Sequence, residues 1–231
     1  MSVRTFDPRP EVRLLILCAR TRLAPEVAGQ IRELLAAELD WNYVIRAALH
    51  HGLMPLLCHH LGAVAPEAVL PPAWEHLQRL FHTNACQNLV LTTELLRLLT
   101  LFESHGIAAI PYKGPALAVT LYGDLSLRQF DDLDILIGQQ DALEAAALLR
   151  AQNYRPLFSL PPRKRAIFLR REMAFVHPNG RNIVELHWGI TERHFTFARD
   201  AGDFRDRLQP VSLGERTVLG LSPDDSAYDL D

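Results

Sequence analysis

Cysteine is scarce: the chain has three, Cys18, Cys58 and Cys86, among 231 residues. The odd count, the wide spacing and the lack of any CxxC pair exclude a dense disulfide framework and give no zinc signature. They read as reduced, mostly buried thiols of a cytoplasmic protein. Long apolar runs are missing too. The stretch Leu14–Ala19 is too short, and too closely flanked by arginines, to be a signal peptide or a membrane span. No association with a membrane is therefore expected. Charge of one sign is not in excess: the net charge is −3. Bulk electrostatics then argue neither for nor against nucleic acid, which is possible as a partner but not favoured. Internal repeats, low-complexity tracts, a Walker loop, a Rossmann glycine run and a Ser-His-Asp set are all absent.

What remains is an ordinary globular composition, 48% apolar and 22% charged, in a chain long enough to bury a real core. Residues 1 to 105 read as helical. Apolar residues recur at helical spacing in 26–37 and 41–49, and Asp40 stands where an N-cap should. Pro55 starts a further helix over Met54–Leu61. A long helix follows from Pro72 to His105, with a break expected near Thr83 and Gly106 as its C′ glycine.

The pattern changes at Ile107. Ile107–Tyr112 reads as a strand, Pro115–Tyr122 as a short helix, Leu133–Ile137 as a second strand and Asp141–Gln152 as an amphipathic helix. Met173–His177 and Asn182–Trp188 read as a hairpin around Pro178-Asn179-Gly180. The expected fold is α+β, an N-terminal helical region packed on a small mixed-sheet core. Three segments are expected: 1–105 helical, 106–200 the core, and 201–231 a short C-terminal segment. Beyond Trp188 only Ser222-Pro223-Asp224-Asp225 gives a clear signal, a helix start.

The chemistry concentrates in Arg128-Gln129-Phe130-Asp131-Asp132-Leu133-Asp134-Ile135-Leu136-Ile137. Residues two apart on a strand share a face, so Asp132 and Asp134 project together. Leu133, Ile135 and Ile137 then face the core. Two neighbouring carboxylates repel unless a cation lies between them, and hard oxygen donors favour Mg2+ or Mn2+. The alternative is a pair of capping acids at a strand mouth. Glu185 is a further acid set among apolar neighbours in Ile183-Val184-Glu185-Leu186-His187-Trp188. It is costly there unless paired or metal-bound. If its strand lies beside Leu133–Ile137, three carboxylates converge, as a two-metal site requires. Taken alone, Glu185 reads more readily as an edge-strand acid paired with an arginine.

These residues resemble a known family. Tyr112-Lys113-Gly114-Pro115-Ala116-Leu117-Ala118, Leu121-Tyr122-Gly123, Arg128, Asp132-Leu133-Asp134 and the later Glu185-Leu186-His187-Trp188 are similar to the bacterial nucleotidyltransferase family proteins of the polymerase-beta-like superfamily. Asp40-Trp41 and His51-Gly52-Leu53-Met54-Pro55 are similar to that family's N-terminal helical region. The resemblance implies a nucleotidyltransferase in which Asp132, Asp134 and Glu185 hold Mg2+ or Mn2+. It implies a nucleoside triphosphate such as ATP as donor, with Gly114, Lys113 and Arg128 at its phosphates. For Lys113, a plain salt bridge stands as the alternative. His187 would touch phosphate or acceptor, or serve as a supporting hydrogen-bonding histidine.

The acceptor implied is a peptide or small metabolite, with a protein or RNA hydroxyl as alternatives. Two departures count. The superfamily often has Gly-Gly or Gly-Ser where this chain has Gly114-Pro115, and its chains usually continue further. Both favour the competing reading, a catalytically lapsed nucleotide- or partner-binding module. Transfer from a sugar-nucleotide or another phosphate donor is the third reading. His50-His51 and His59-His60 read as ordinary helix residues, and Arg163-Lys164-Arg165 with Arg170-Arg171 as a solvated basic cluster.

Overall fold

A computed structural model describes residues 8–158, 172–180, 182–188 and 208–222. The chain divides into two compact units. One comprises Met1–Gln87 with Asp124–Gln129, and the other Asn88–Gly123 with Phe130–Asp231.

The first unit is helical. It contains α1 (Pro10–Cys18), α2 (Pro25–Leu35), α3 (Trp41–His50), α4 (Met54–Val64) and the start of α5 (Pro71–Ser104). The helices form where the sequence supplies stripes and caps. Leu14, Ile31, Val44, Leu57, Leu61 and Leu77 are fully buried together in one core. Each such side chain stabilises the fold by about 1.5–3 kcal/mol. Asp40 caps α3 as expected, its Oδ1 accepting the Tyr43 N–H at 3.0 Å. Glu11 ties two helix starts together: it lies in the first turn of α1 while its Oε1 accepts the Asp40 N–H at 3.0 Å. Its other oxygen pairs with Arg9 Nε at 2.8 Å.

Helix α5 runs unbroken for 34 residues. The break expected near Thr83 does not occur: the helix accommodates the Thr83 hydroxyl, which donates to the Arg79 carbonyl one turn back at 2.8 Å. The boundary between the units falls inside this helix, after Gln87. Gly106 ends it with φ +72°, and the Ile107 N–H reaches back to the Phe102 carbonyl at 3.0 Å.

The second unit holds a five-stranded sheet. Its strands are β1 (Ala109–Pro111), β2 (Asp132–Ile137), β3 (Arg155–Pro156), β4 (Glu172–Val176) and β5 (Ile183–His187), in the order β1-β2-β5-β4-β3. Only β2 and β5 run parallel; the other pairs are antiparallel. The α+β architecture with a small mixed sheet is therefore the one expected. The β4–β5 hairpin turns as its Asn-Gly signal requires, with Gly180 at φ +69°. The helix expected over Pro115–Tyr122 begins as α6 (Gly114–Leu117) and continues as a π turn over Ala118–Tyr122. Helix α7 spans Ala142–Ala151.

Strand β2 is buried on both faces. Leu133, Ile135 and Ile137 are fully buried as expected, but so is Leu136 on the face of Asp134. Leu136 packs with Ile110, Tyr112 and Leu221. Leu221 follows a hairpin that the sequence did not announce, β6 (Gln209–Leu213) and β7 (Arg216–Gly220). Its two-residue turn puts Gly214 at φ +65°. Arg216 fastens the hairpin to α5, donating to the Leu96 carbonyl at 3.0 Å and meeting Glu103 at 3.1 Å. Among the described residues no helix is long and apolar enough to cross a membrane.

Candidate active site

The acids of the site come from the two parallel strands. The register pairs Asp134 on β2 with Glu185 on β5. This is the adjacency on which a shared carboxylate site depended. Alternation along β5 adds His187 to the same face. Asp134, Glu185 and His187 each offer a ligand atom, and these atoms lie within 4.8 Å of one another. Asp132 precedes them on the same face of β2, opposite Ile183 and half-buried, outside this tight group.

Asp134 retains 7% side-chain exposure, Glu185 32% and His187 11%. A carboxylate as buried as Asp134 needs a partner. It finds one in His187, whose Nε2 lies 2.9 Å from Asp134 Oδ1 and 3.5 Å from Glu185 Oε2. Burial alone would pull the His187 pKa down. The hydrogen bonds to Asp134 and Glu185, reinforced by their charge, outweigh it and raise the value to about 9. An imidazolium between two acids offsets their mutual repulsion.

Glu172, on β4 opposite His187, was not singled out by the sequence; its Oε2 is 3.8 Å from His187 Nδ1. The expected strand began one residue later, at Met173, so Glu172 fell outside it. Tyr112 sets its ring edge against His187 at 5.8 Å between centroids, and Lys113 Nζ lies 5.1 Å from the Tyr112 ring centre.

Gly114 has φ +51°, and a Cβ there would meet the Asp132 carbonyl oxygen at 3.2 Å. Two separate constraints therefore demand glycine: the left-handed backbone and the close approach to β2. Pro115 occupies the first turn of α6, where its missing N–H breaks no helical bond. Arg128 belongs to the segment Asp124–Gln129 that clusters with the helical unit. There Asn84 Nδ2 donates to the carbonyls of Ser126 at 3.1 Å and Arg128 at 3.3 Å.

The paired histidines behave as helix residues. His50, His51 and His59 are exposed, and buried His60 bonds the Arg20 carbonyl at 2.7 Å through Nε2. Cys18 and Cys58 are buried and Cys86 is exposed; all three are free. The basic cluster of Arg163-Lys164-Arg165 and Arg170-Arg171 lies outside the described residues, as do Pro223-Asp224-Asp225.

The donor atoms can be tested against a divalent cation. Two carboxylates on adjacent strands supply hard oxygens at one point, and the counter-charge now between them is an imidazole. Oxygen donors of this kind suit a hard divalent cation. A mixed sheet that brings acids from parallel neighbours together beside a glycine turn is the arrangement that the resemblance to nucleotidyltransferases implies. Residues 37–230 match the model of a family described as uncharacterised nucleotidyltransferase, and the chain belongs to that family. No curated protein matches. Among solved structures, the lincosamide antibiotic adenylyltransferase LnuA, lincomycin-bound, is similar at 16% identity and a TM-score of 0.44. The similarity covers 60% of this chain and 85% of that one.

Proposed function

We propose that the chain transfers a nucleoside monophosphate from a nucleoside triphosphate such as ATP to a hydroxyl acceptor. The acceptor is a peptide or a small molecule, with a protein or RNA hydroxyl as alternatives. The observation that carries this is the β2–β5 register, which sets Asp134 beside Glu185 on one sheet face. Asp132, Asp134 and Glu185 would hold Mg2+ or Mn2+. When bound, the cation supplies charge stabilisation for the α-phosphate and the departing pyrophosphate.

The chain's own residues do the rest. Glu185, the more exposed of the paired acids, orients or deprotonates the acceptor hydroxyl. The acceptor oxygen forms a bond to the α-phosphorus as the bond to the β-phosphate bridging oxygen breaks. Pyrophosphate leaves with that electron pair. Lys113 and Arg128 neutralise phosphate charge, and the turn at Gly114 brings backbone close to it. The three free thiols suit a reducing compartment, the cytoplasm.

The test is incubation of the full chain with α-labelled triphosphates, Mg2+ and a panel of acceptors, beside Asp132→Asn and Asp134→Asn. Label should reach an acceptor only with the unaltered chain. Equal transfer by both variants would refute the metal assignment.

A further inference from the structure

We infer that Tyr154 and Asn182 are positioning residues: they fix how far the β4–β5 hairpin reaches along β2, and so set Glu185 opposite Asp134. The consequence for the site rests on the metal-dependent reading above; the register itself does not. Alternation alone leaves the register open. A slide of one residue turns every side chain over, but a slide of two restores the same faces. The back face of β5 carries Val184 and Leu186, and that of β4 carries Met173 and Phe175, all buried. Apolar residues at every second position look much alike after such a slide. Yet two residues move Glu185 by about 7 Å along β2, farther than the 4.8 Å that encloses the three ligand atoms.

The back face becomes polar at its turn end. There stand buried Asn182 and, across from it, His177, whose backbone N–H donates to the Asn182 carbonyl at 2.9 Å. Both meet Tyr154, which is buried. The His177 ring packs edge-on against the Tyr154 ring, centroids 5.0 Å apart, and the Asn182 side-chain amide donates to the Tyr154 hydroxyl. That hydroxyl in turn donates to Glu94 Oε1 at 2.6 Å. Tyr154 is itself fixed. It follows the end of α7, where Asn153 turns left-handed at φ +67° and the Tyr154 N–H returns to the Leu149 carbonyl at 3.0 Å. Glu94 on α5 is gripped by Arg97 through Nε at 3.0 Å and Nη2 at 2.7 Å, and Arg97 Nη1 donates to Gln152 at 2.7 Å. Backbone pairing adds less: β3 meets β4 over Arg155 and Pro156 alone, and proline has no N–H. A slid hairpin would take Asn182 off the hydroxyl and put Val184 or the turn in its place, leaving a buried amide unpaired.

The test is nuclear magnetic resonance on the full, isotope-labelled chain, first without a cation. Cross-strand Overhauser contacts should place Asp134 beside Glu185 in the unaltered chain, in one register. Asn182→Leu keeps the size of the side chain and removes its amide, so that the back face becomes apolar throughout. Saturation-transfer spectra should then reveal a second state confined to β2 and the β4–β5 hairpin, at about 1% or more. Its share should rise roughly 5–150-fold, as the loss of one buried hydrogen bond implies. Tyr154→Phe, which keeps the ring against His177, should reveal the same state. A merely structural pair would give lower melting and a single register. If both variants keep one register, or lose their fold outright instead of sliding, the inference falls. Mg2+ separates it from the metal reading. The cation should suppress the second state, because the ligand set is complete only where Glu185 lies beside Asp134. A second state that Mg2+ leaves untouched would uphold the register role and sink the metal reading.

Discussion

Replacing Gly114 by alanine should destabilise the protein, while the same change at Gly29 should stabilise it. At Gly114 the backbone sits at φ +51°, which costs an alanine about 1–2 kcal/mol. The added methyl would also stand 3.2 Å from the Asp132 carbonyl oxygen. That oxygen belongs to the first residue of β2, which pairs with Ile183 on β5, so the turn or that residue must give by a few tenths of an ångström. The sum is about 2 kcal/mol, or about 4–8 °C in Tm for a chain of this size. Gly29 lies inside α2 on ordinary helical backbone, and an added methyl there would have nothing within 4 Å of it. Alanine there removes unfolded-state freedom and should add about 0.5–1 kcal/mol. Both variants are followed by thermal melts monitored by circular dichroism, with Mn2+ titration alongside. Gly114→Ala should also weaken Mn2+ binding, because the contact it strains is the backbone of Asp132. A Gly114→Ala melt at or above that of the unaltered chain would refute the reasoning, and shifts of one sign for both variants would do so more sharply.

Other outcomes follow from named contacts. The Glu11 pKa is held near 2 by its bond to Arg9, then by the Asp40 N–H. Its stabilisation is thus full above the ordinary value of 4.5 and is lost as the pH falls toward 2. Glu11→Gln should therefore cost about 1–2 kcal/mol at pH 7, allowing for solvent at half-exposed Arg9, and urea melts should converge with the unaltered chain near pH 2. Tyr154→Phe removes a 2.6 Å bond from the phenol to Glu94 and should cost about 1–2 kcal/mol by chemical denaturation. Leu57→Ala opens a fully buried position in the helical core and should cost about 2–5 kcal/mol; a loss under about 1 kcal/mol would mean that the core is not closely packed there.

The sequence carried the site's strands well because acids interrupting an apolar alternation are rare and costly. Asp134 and Glu185 were visible for that reason, and Gly114 because a glycine between strand and helix is a turn signal. The long helix was readable from its apolar period, yet Thr83 suggested a break where its hydroxyl simply bonds one turn back. Glu172 was invisible for a different reason: its meaning depends on which residue lies across the strand, and register is a property of the paired sheet. His187 was visible two residues from Glu185 on one strand, but its bond to Asp134 was not, because that too depends on register. The β6–β7 hairpin escaped notice because its alternation is short and its turn, Gly214-Glu215, lacks the Asn-Gly signal that marked the other hairpin. The π turn at Ala118–Tyr122 arises in a segment whose apolar period alone reads as α.

Strand β5 brings to the site both an acid and the ring that offsets acidic charge, two residues apart on one face. Asp134 and His187 are 53 residues apart in sequence, so the group forms only when β5 docks beside β2. A slip of one residue would turn Glu185 and His187 away together, leaving Asp134 beside apolar side chains with no counter-charge. The charge arrangement thus penalises the wrong register and rewards the right one. The residues that would do the chemistry also act as the sheet's proofreading, and the parallel pair is either correctly aligned or left with a buried, unpaired acid.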